Sequence, residues 1–429
     1  MFVPSPLTRH SGACLVFARP VILAVLLCCL PVRRVLAEER ADFTLGYYIE
    51  DHHRVEVWSP ALLLETDIAP NTVMRLQGIY DVVSGASPTG APVTRKTRTV
   101  TKEVFTTQAT SVVTGFNTVS GPTGVPGTLV PVTSTVTKRT KVQQTTIVPY
   151  GLPFLPMQDF DDQRLGLNLE FERHVEDWIY NAGVAYGNES DYESLAGTVK
   201  LSRELNHKAT VVSAGASYGH DWVLNPTLHE WDGKDTVEGI LSVAQAVDTK
   251  TLVTLAGTLG TAWGFLDDQY KYASLNDTIV HEKRPDARDR RIAMLTVNRE
   301  FDSLKGSAEL SYRWYGDSYG ISAHTIGVAW FQHLGRWLIL SPSLRYYEQS
   351  AADFYAVKFT GNPSVFSSDY RLSNLDSVTY GLRLMVKFSE RFNFSLGYDR
   401  YAMHGQDGMT PGEAYPKANI FTAGFKLWY

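Results

Sequence analysis

The sequence predicts an all-β transmembrane protein, an antiparallel up-and-down β-barrel of about sixteen strands. Three observations predict it. Apolar residues recur with period two rather than 3.6. The alternating segments number sixteen, an even count. Short turns join them at one end and, for the most part, longer loops at the other.

The alternation is plain to read. Leu165, Leu167, Leu169 and Phe171 alternate with Gly166, Asn168, Glu170 and Glu172. Ala308, Leu310, Tyr312 and Trp314 alternate with Ser307, Glu309, Ser311 and Arg313. Phe392, Phe394, Leu396 and Tyr398 alternate with Asn393, Ser395, Gly397 and Asp399. One face of each segment is apolar with aromatics at its ends. The other is small, polar or charged. A soluble sandwich would bury the apolar face on a second sheet. A membrane barrel turns it to lipid and keeps a polar interior. The loop pattern favours the barrel, and only a closed barrel satisfies every strand N–H and C=O in hydrocarbon.

Taken in order, the strands fall near 42–50, 54–66, 72–83, 162–174, 177–188, 192–204, 207–219 and 236–247. They continue near 250–264, 289–301, 305–315, 321–334, 336–348, 374–388, 390–401 and 417–429. Tight turns are expected at Asp67–Asn71, His174–Asp177, Glu204–His207, Val247–Lys250, Asp302–Lys305, Leu334–Arg336 and Phe388–Glu390. The alternate connections include 84–161, 220–235, 265–288, 349–373 and 402–416.

Composition agrees. The chain has 429 residues, 44% hydrophobic and 20% charged, with a mean hydropathy of −0.14. That is too polar for a bundle of membrane helices, and no run of 18 apolar residues follows position 40. Its 22 Tyr, 19 Phe and 9 Trp are too many for a disordered chain. A net charge of −5 gives no case for a nucleic-acid partner.

Residues 1–37 read as a secretory signal. Arg9 and Arg19 supply charge, Val21 to Leu30 the apolar core, and Val35-Leu36-Ala37 the small-residue cleavage site. A lipoprotein cut before Cys28 is the alternative, with bulky Leu27 where a small residue is wanted. All three cysteines (Cys14, Cys28, Cys29) lie in this segment, so residues 38–429 hold no disulfide, thiolate metal site or thiol nucleophile. Losing Arg9, Arg19, Arg33 and Arg34 takes the basic residues from 40 to 36 against 45 acids, a net −9.

The segment 94–148 departs from the pattern. It is Thr/Val-rich, with seven Lys and Arg against Glu103 alone, hence +6 on a remainder of −15. Two β-prone tracts, 94–113 and 129–148, flank a turn-rich centre (Ser120-Gly121-Pro122, Gly124, Pro126-Gly127). They read as a long extracellular hairpin, with a disordered loop as the alternative. Fully extended, each tract would reach roughly 65 Å.

Several stretches carry a resemblance. They include Ser84-Gly85-Ala86-Ser87-Pro88, Arg284-Pro285-Asp286-Ala287-Arg288 and Gln349-Ser350-Ala351-Ala352-Asp353-Phe354-Tyr355. The chain resembles a bacterial family of outer-membrane proteins described as a domain of unknown function. The resemblance spans nearly all of 38–429, with 94–148 as an insertion. It implies an outer-membrane barrel in a redox or metal-handling gene neighbourhood, and it implies no activity.

The alternation assigns the lumen lining. Its candidates are Glu170, Glu172, Lys200, Glu309, Arg313, Arg345, Arg383, Lys387 and Asp399, with Arg75, Asp81 and Lys426. Opposed charges of this kind either set a transverse field across a pore or cross-link a closed interior. The loop candidates are Arg284, Arg288, Arg290, Asp317, Gln349 and Asp353. Dense arginines suit carboxylate or phosphate, including lipopolysaccharide phosphate. They equally suit a loop salt-bridged to Asp267, Asp268 and Asp353.

Histidines give no metal expectation. His52 and His53 are adjacent, and His220 pairs in sequence with Asp221 near His229, so a site would have to be built in loops. Ser322 and His324 lack a nucleophile elbow, so no enzyme and no cofactor are expected. The expected partners are outer-membrane lipid, lipopolysaccharide and a small polar solute that the barrel passes or binds. The alternative is a surface interaction protein, an adhesin or assembly partner, that uses the 94–148 hairpin.

Overall fold

A computed structural model describes residues 39–119, 128–225 and 228–429. The proposed signal segment and the expected hairpin turn at 120–127 lie outside the described residues. Among the described residues there is no α-helix, only four 3-10 turns.

Twenty strands are numbered in chain order. The first half comprises β1 (Arg40–Glu50), β2 (Val55–Ala69), β3 (Thr72–Pro88), β4 (Thr94–Val119), β5 (Thr128–Phe154), β6 (Met157–Val175), β7 (Trp178–Asn188), β8 (Tyr192–Leu205), β9 (Thr210–Leu224) and β10 (Trp231–Asp248). The second comprises β11 (Thr251–Gly264), β12 (Tyr272–Leu275), β13 (Thr278–His281), β14 (Ala287–Phe301), β15 (Gly306–Asp317), β16 (Ser322–Leu334), β17 (Leu338–Gln349), β18 (Leu375–Lys387), β19 (Phe392–Gly405) and β20 (Lys417–Trp428). Sixteen of them form one closed antiparallel barrel, in the order β1-β2-β3-β6-β7-β8-β9-β10-β11-β14-β15-β16-β17-β18-β19-β20. The strand between each pair of turns is the one that the alternation predicts.

Closure joins the two ends of the barrel sequence. β1 pairs with β20 from Arg40↔Trp428 to Glu50↔Ala418, as well as with β2. Register fixes which face is which, because a slip of one residue would invert every side chain. Leu241 and Leu259 lie on the outward face and are each 67% exposed, which is tolerable in lipid and costly in water. Aromatics ring both ends of that face. Tyr47 stacks on Trp58 at 4.3 Å between ring centroids near the loop end, and Phe43 on Phe425 at 5.4 Å near the turn end.

Two features depart from the sequence expectation. Strands overrun at the loop end: β9 reaches Leu224 and β10 starts at Trp231, so the loop expected over 220–235 shrinks to 225–230. The ladder continues there on cross-strand polar pairs, Lys234–Asp221 at 2.8 Å and His220–Asp235 at 2.8 Å, after the apolar signal has faded. His220 therefore takes Asp235 rather than its sequence neighbour Asp221, since adjacent strand residues point to opposite faces. The second departure is a small hairpin, β12–β13, inside the loop expected over 265–288.

β4 and β5 form a separate two-stranded antiparallel sheet, and residues 93–154 make a compact unit of their own. Its strands run 26 and 27 residues, longer than the tracts 94–113 and 129–148. Register shifts interrupt it between Thr94 and Lys96 and between Val113 and Gly115.

A barrel with no free edge resists unfolding by detergent. Unboiled protein in SDS should therefore migrate differently from boiled protein. Deleting residues 417–429 removes the seam with β1 and should abolish the unboiled species; identical mobility of the boiled and unboiled full-length chain would contradict the closed barrel.

Candidate functional site

The loops at one end of the barrel fold inward and meet. The loop between β11 and β14 leaves the ninth barrel strand and reaches the third. Lys271 Nζ donates to Ser87 Oγ at 2.9 Å and to the carbonyl of Pro88 at 2.6 Å, and Tyr272 N donates to Thr89 O at 2.7 Å. The same loop touches the β7–β8 connection, where Gln269 and Tyr270 donate to Asp191. From the other side comes the long β17–β18 loop. It meets the first through bridges at Leu275↔Phe359 and Lys283↔Phe366. The two loops thus roof the mouth. At the β3 end of the roof, Gly85 (φ +147°) adopts a backbone that favours glycine, and a Cβ there would overlap the carbonyl of Arg54.

A small apolar cluster seats the roof on the wall: Tyr319, Ile321, Ala352, Phe354 and Leu372, with Tyr319 edge-on to Phe354 at 4.9 Å. Charge joins the loops to one another. Glu282, Lys271 and Asp369 are 3%, 2% and 1% exposed. Arg284 bridges Glu282 at 2.7 Å and Asp369 at 3.0 Å. Arg371 grips Asp369 through Nε at 2.8 Å and pairs onward with Asp268. Ser367 Oγ donates to Glu282.

These contacts set the titrations. Burial alone would raise Asp369, but the Arg371 guanidinium outweighs it and holds the carboxyl down at about 2. Glu282 goes the other way: burial raises it, and Arg284 only partly offsets that. Burial lowers the Lys271 amine.

The predicted loop residues have definite partners. Besides Arg284, Arg288 makes a forked contact with Asp317 at 2.9 and 2.5 Å and lies over the Tyr319 ring. Arg290 reaches Glu238 on β10 at 3.1 Å. Gln349 donates to the carbonyls of Arg371 and Ser373, each at 2.9 Å. The Asp353 backbone N–H donates to Tyr319 O, and among the described residues no cation lies within 4 Å of its carboxylate. Each predicted loop arginine is therefore already neutralised, as in the salt-bridged alternative, though by Glu282, Asp369, Asp317 and Glu238 rather than by Asp267, Asp268 and Asp353.

Register places all nine principal lumen candidates on the face that looks away from the exposed leucines. Glu172, Asn181, Lys200 and Gly215 are successive partners across β6 to β9. At the turn end Arg75 gathers Glu65 at 2.6 Å, Glu172 at 2.9 Å and Glu170 at 3.4 Å, with Asn181 donating to both of the last two. Lys426 joins Asp42 at 3.3 Å, and Asp81 accepts from Ser59. Glu309 opposes Ala329, Asp399 opposes Gly381, and Lys387 opposes Asn393.

Beneath the roof lies a cavity of about 900 Å³. Asp161, Asp162, Glu189, Asp191, Asp267 and Asp268 line it together with Arg164, Lys234, Arg284, Arg288 and Arg290, and Arg164 pairs with Glu189 at 3.3 Å. Asp162, Glu189 and Asp191 bring carboxylate oxygens within 4.8 Å of one another, and burial with its acidic neighbours raises Glu189. The histidines stay apart from this cluster: His53 meets Glu56 at 2.5 Å and His324 meets Tyr312 at 2.8 Å. Ser322 and His324 share the outward face and make no contact with each other among the described residues. Sequence reasoning missed Asp369, Arg371 and the depth of Lys271. The run Ser367-Ser368-Asp369-Tyr370-Arg371 offered a local clue, with small polar residues beside an acid and a base.

A closed sixteen-stranded barrel with lipid-facing leucines, aromatic belts and a polar interior defines the class: this is a bacterial outer-membrane β-barrel. Within that class, the chain belongs to the family described as protein of unknown function DUF3570, which it matches over residues 26–231 and 224–419. No curated protein matches it. Among solved structures it is similar to a bacterial polysaccharide outer-membrane secretin, with 6% identity, TM-score 0.45, and 92% of this chain and 100% of that one covered. It is also similar to OccK5 (OpdH) of Pseudomonas aeruginosa, with 8% identity, TM-score 0.40 and coverage of 91% and 98%. The ferric enterobactin receptor PfeA gives 9% identity and TM-score 0.42, and this chain spans 61% of that receptor. What the barrel carries is read from its own residues.

The roof should depend on Asp369. Asp369→Asn leaves Arg284 and Arg371 without their shared carboxylate and should cost roughly 3 kcal/mol of local stability. That is about a hundredfold faster hydrogen exchange over residues 350–374, with Glu282→Gln changing it less than tenfold. A carboxyl held low stabilises above its ordinary value and loses that contribution as pH falls through about 2. Wild-type protection, corrected for intrinsic rate, should hold from pH 7 to 4 and fall between about 4 and 2. Glu282, being raised, works in the opposite sense. The acid loss should therefore shrink in Asp369→Asn to the part left by Asp268, which Arg371 also holds low against burial; an undiminished loss would remove Asp369 from this role.

Proposed function

We propose that this chain is a channel that passes small polar solutes across the outer membrane. The observation that carries the reading is the cavity under the roof, which is lined by acidic and basic side chains together and so holds a field of mixed sign. Such a field orients a polar solute and needs no covalent chemistry. The roof narrows the mouth, because buried ion pairs lock its two loops together. The reading includes export through a signal at 1–37, and contact of the outward face with lipid and lipopolysaccharide.

A second reading has its own observation. The β4–β5 unit is a long, basic, Thr-rich hairpin, with Lys141 pairing with Glu103 at 3.0 Å. In that reading the hairpin is extracellular and binds an anionic surface such as lipopolysaccharide phosphate, while the barrel anchors it. At 0.15 M salt its field reaches only ~8 Å, so it would act on contact.

Planar-bilayer recording of the full chain and of a chain lacking 94–148 separates the two. Both should conduct with defined steps if the barrel is a channel. A silent full-length barrel whose shortened form loses only surface binding would favour the second reading. Protease added to whole cells should cut near Arg95–Lys102 or Lys138–Lys141 and spare the barrel. Cleavage only after the outer membrane is opened would put the hairpin on the periplasmic side.

A further inference from the structure

Most cations inside the barrel are spoken for. Arg75, Lys234, Arg288 and Arg290 each hold a carboxylate within 4 Å. Lys200 on β8 is one exception among the described residues, and on the wall made by β15 to β18 three arginines are others. Among the described residues, no carboxylate lies within 4 Å of Arg313, Arg345 or Arg383, and no hydrogen bond engages their guanidinium groups. An ion left unpaired away from water costs several kcal/mol, so these groups face either water or an anionic guest.

Two of the three flank one residue. Arg313 on β15 opposes Thr325, which opposes Tyr347 on β17. Arg345 lies two residues from Tyr347 on the same strand, on the same face and one step nearer the turn end. Two strands sideways and two residues along put the Arg313 and Arg345 Cα atoms about 12 Å apart. Two side chains of that length can close the gap onto one small molecule. The next inward row carries acids: Glu309, opposite Ala329, and Asp399, opposite Gly381. They too have no cation within 4 Å among the described residues. The arginine pair is thus bounded on the turn side by repulsion for an anion.

A cavity of about 320 Å³ opens at this point. Arg313 lines it, with its guanidinium 5.6 Å from the Tyr315 ring centroid. Tyr315, Tyr347, Ile321 and Leu372 line it too, and give a carbon skeleton apolar surface to lie on. The two tyrosine hydroxyls are engaged elsewhere, with Asp317 at 2.7 Å and with Gln349 at 2.6 Å. Asp369, the one carboxylate in the lining, is taken by Arg284 and Arg371. What the cavity offers a guest is therefore positive charge from the Arg313 guanidinium and apolar walls, with Arg345 one row nearer the turn end, next to its Tyr347 wall.

We propose that the solute is a small organic acid with two carboxylates, held between Arg313 and Arg345 beside Tyr347. This rests on the channel reading for its path but not for its binding site. A guanidinium fork matches a planar carboxylate with two parallel hydrogen bonds. Two free forks match two carboxylates, and the apolar lining separates an organic acid from inorganic phosphate.

The test uses the full chain in detergent, with succinate as the probe and titration calorimetry as the readout. Succinate should bind saturably, and Arg313→Gln and Arg345→Gln should each weaken it at least tenfold while heat-modifiable gel mobility stays unchanged. Putrescine, a dication of similar length, should not bind. No saturable succinate binding, or binding indifferent to both substitutions, would overturn the site. Phosphate binding as tight as succinate would overturn the organic-acid assignment. A bilayer arm separates this proposal from the channel reading. Conduction that prefers anions and is blocked by succinate in an Arg313-dependent way supports both. Conduction that prefers cations and ignores succinate leaves the channel and removes the proposal. A silent membrane with Arg313-dependent succinate binding removes the channel and leaves the site.

Discussion

Everything in this molecule follows from one constraint: backbone N–H and C=O groups cannot go unpaired in hydrocarbon. Sixteen strands meet it by pairing around a circle, and the circle closes because β20 returns to β1 over eleven residues. Once closed, each strand has one face to lipid and one to the lumen, which is why the sequence alternates. The lipid face is as apolar as its solvent demands. The lumen face is free to be polar because it meets water or another wall. Arg75 with its three glutamates shows the permitted chemistry at the turn end, where charges inside the barrel are neutralised in a partly wet setting.

The roof obeys a different rule. Outside the hydrocarbon the loops have no ladder to pair them, so side chains must do it. They do it with a chain of alternating charge, Glu282–Arg284–Asp369–Arg371–Asp268, in which Asp369 is shared between two arginines. Replacing such a network with apolar residues is often neutral or stabilising in other settings, so its worth lies less in energy than in choosing one arrangement of two long loops. The apolar cluster around Tyr319 and Phe354 supplies the burial. The ion pairs supply the register that a ladder would otherwise give.

How much of this the sequence revealed depends on which rule applied. Where period two governs, all sixteen barrel strands could be read, because lipid forces the pattern at every other residue. Strand ends were less legible: β9 and β10 run on past the apolar signal, held by polar pairs such as His220–Asp235. The roof was nearly invisible. Lys271 and Ser87 are 184 positions apart, and no periodicity announces that they touch. The arginines of 284–290 were conspicuous by their density, yet density could not say whether they awaited a ligand or already held carboxylates. Asp369 drew no attention, since one acid among serines looks like any loop.

Position in the barrel separates the conspicuous arginines from the available ones. Arg284, Arg288 and Arg290 stand in loops or at strand ends, where acids of other loops can reach them. Arg313, Arg345 and Arg383 stand deeper, on a wall whose strand neighbours include Thr325, Gly327, Thr379, Ser341 and Gly397, with Met294 on the far side of Arg313. Small and hydroxyl side chains at most of those positions leave room around each guanidinium and offer it no countercharge. An interior meant only to be rigid would have filled that room or paired that charge, as the wall around Arg75 does. Leaving both undone on one wall costs hydration and packing, and a mobile anion is the partner that would balance the charge without closing the pore.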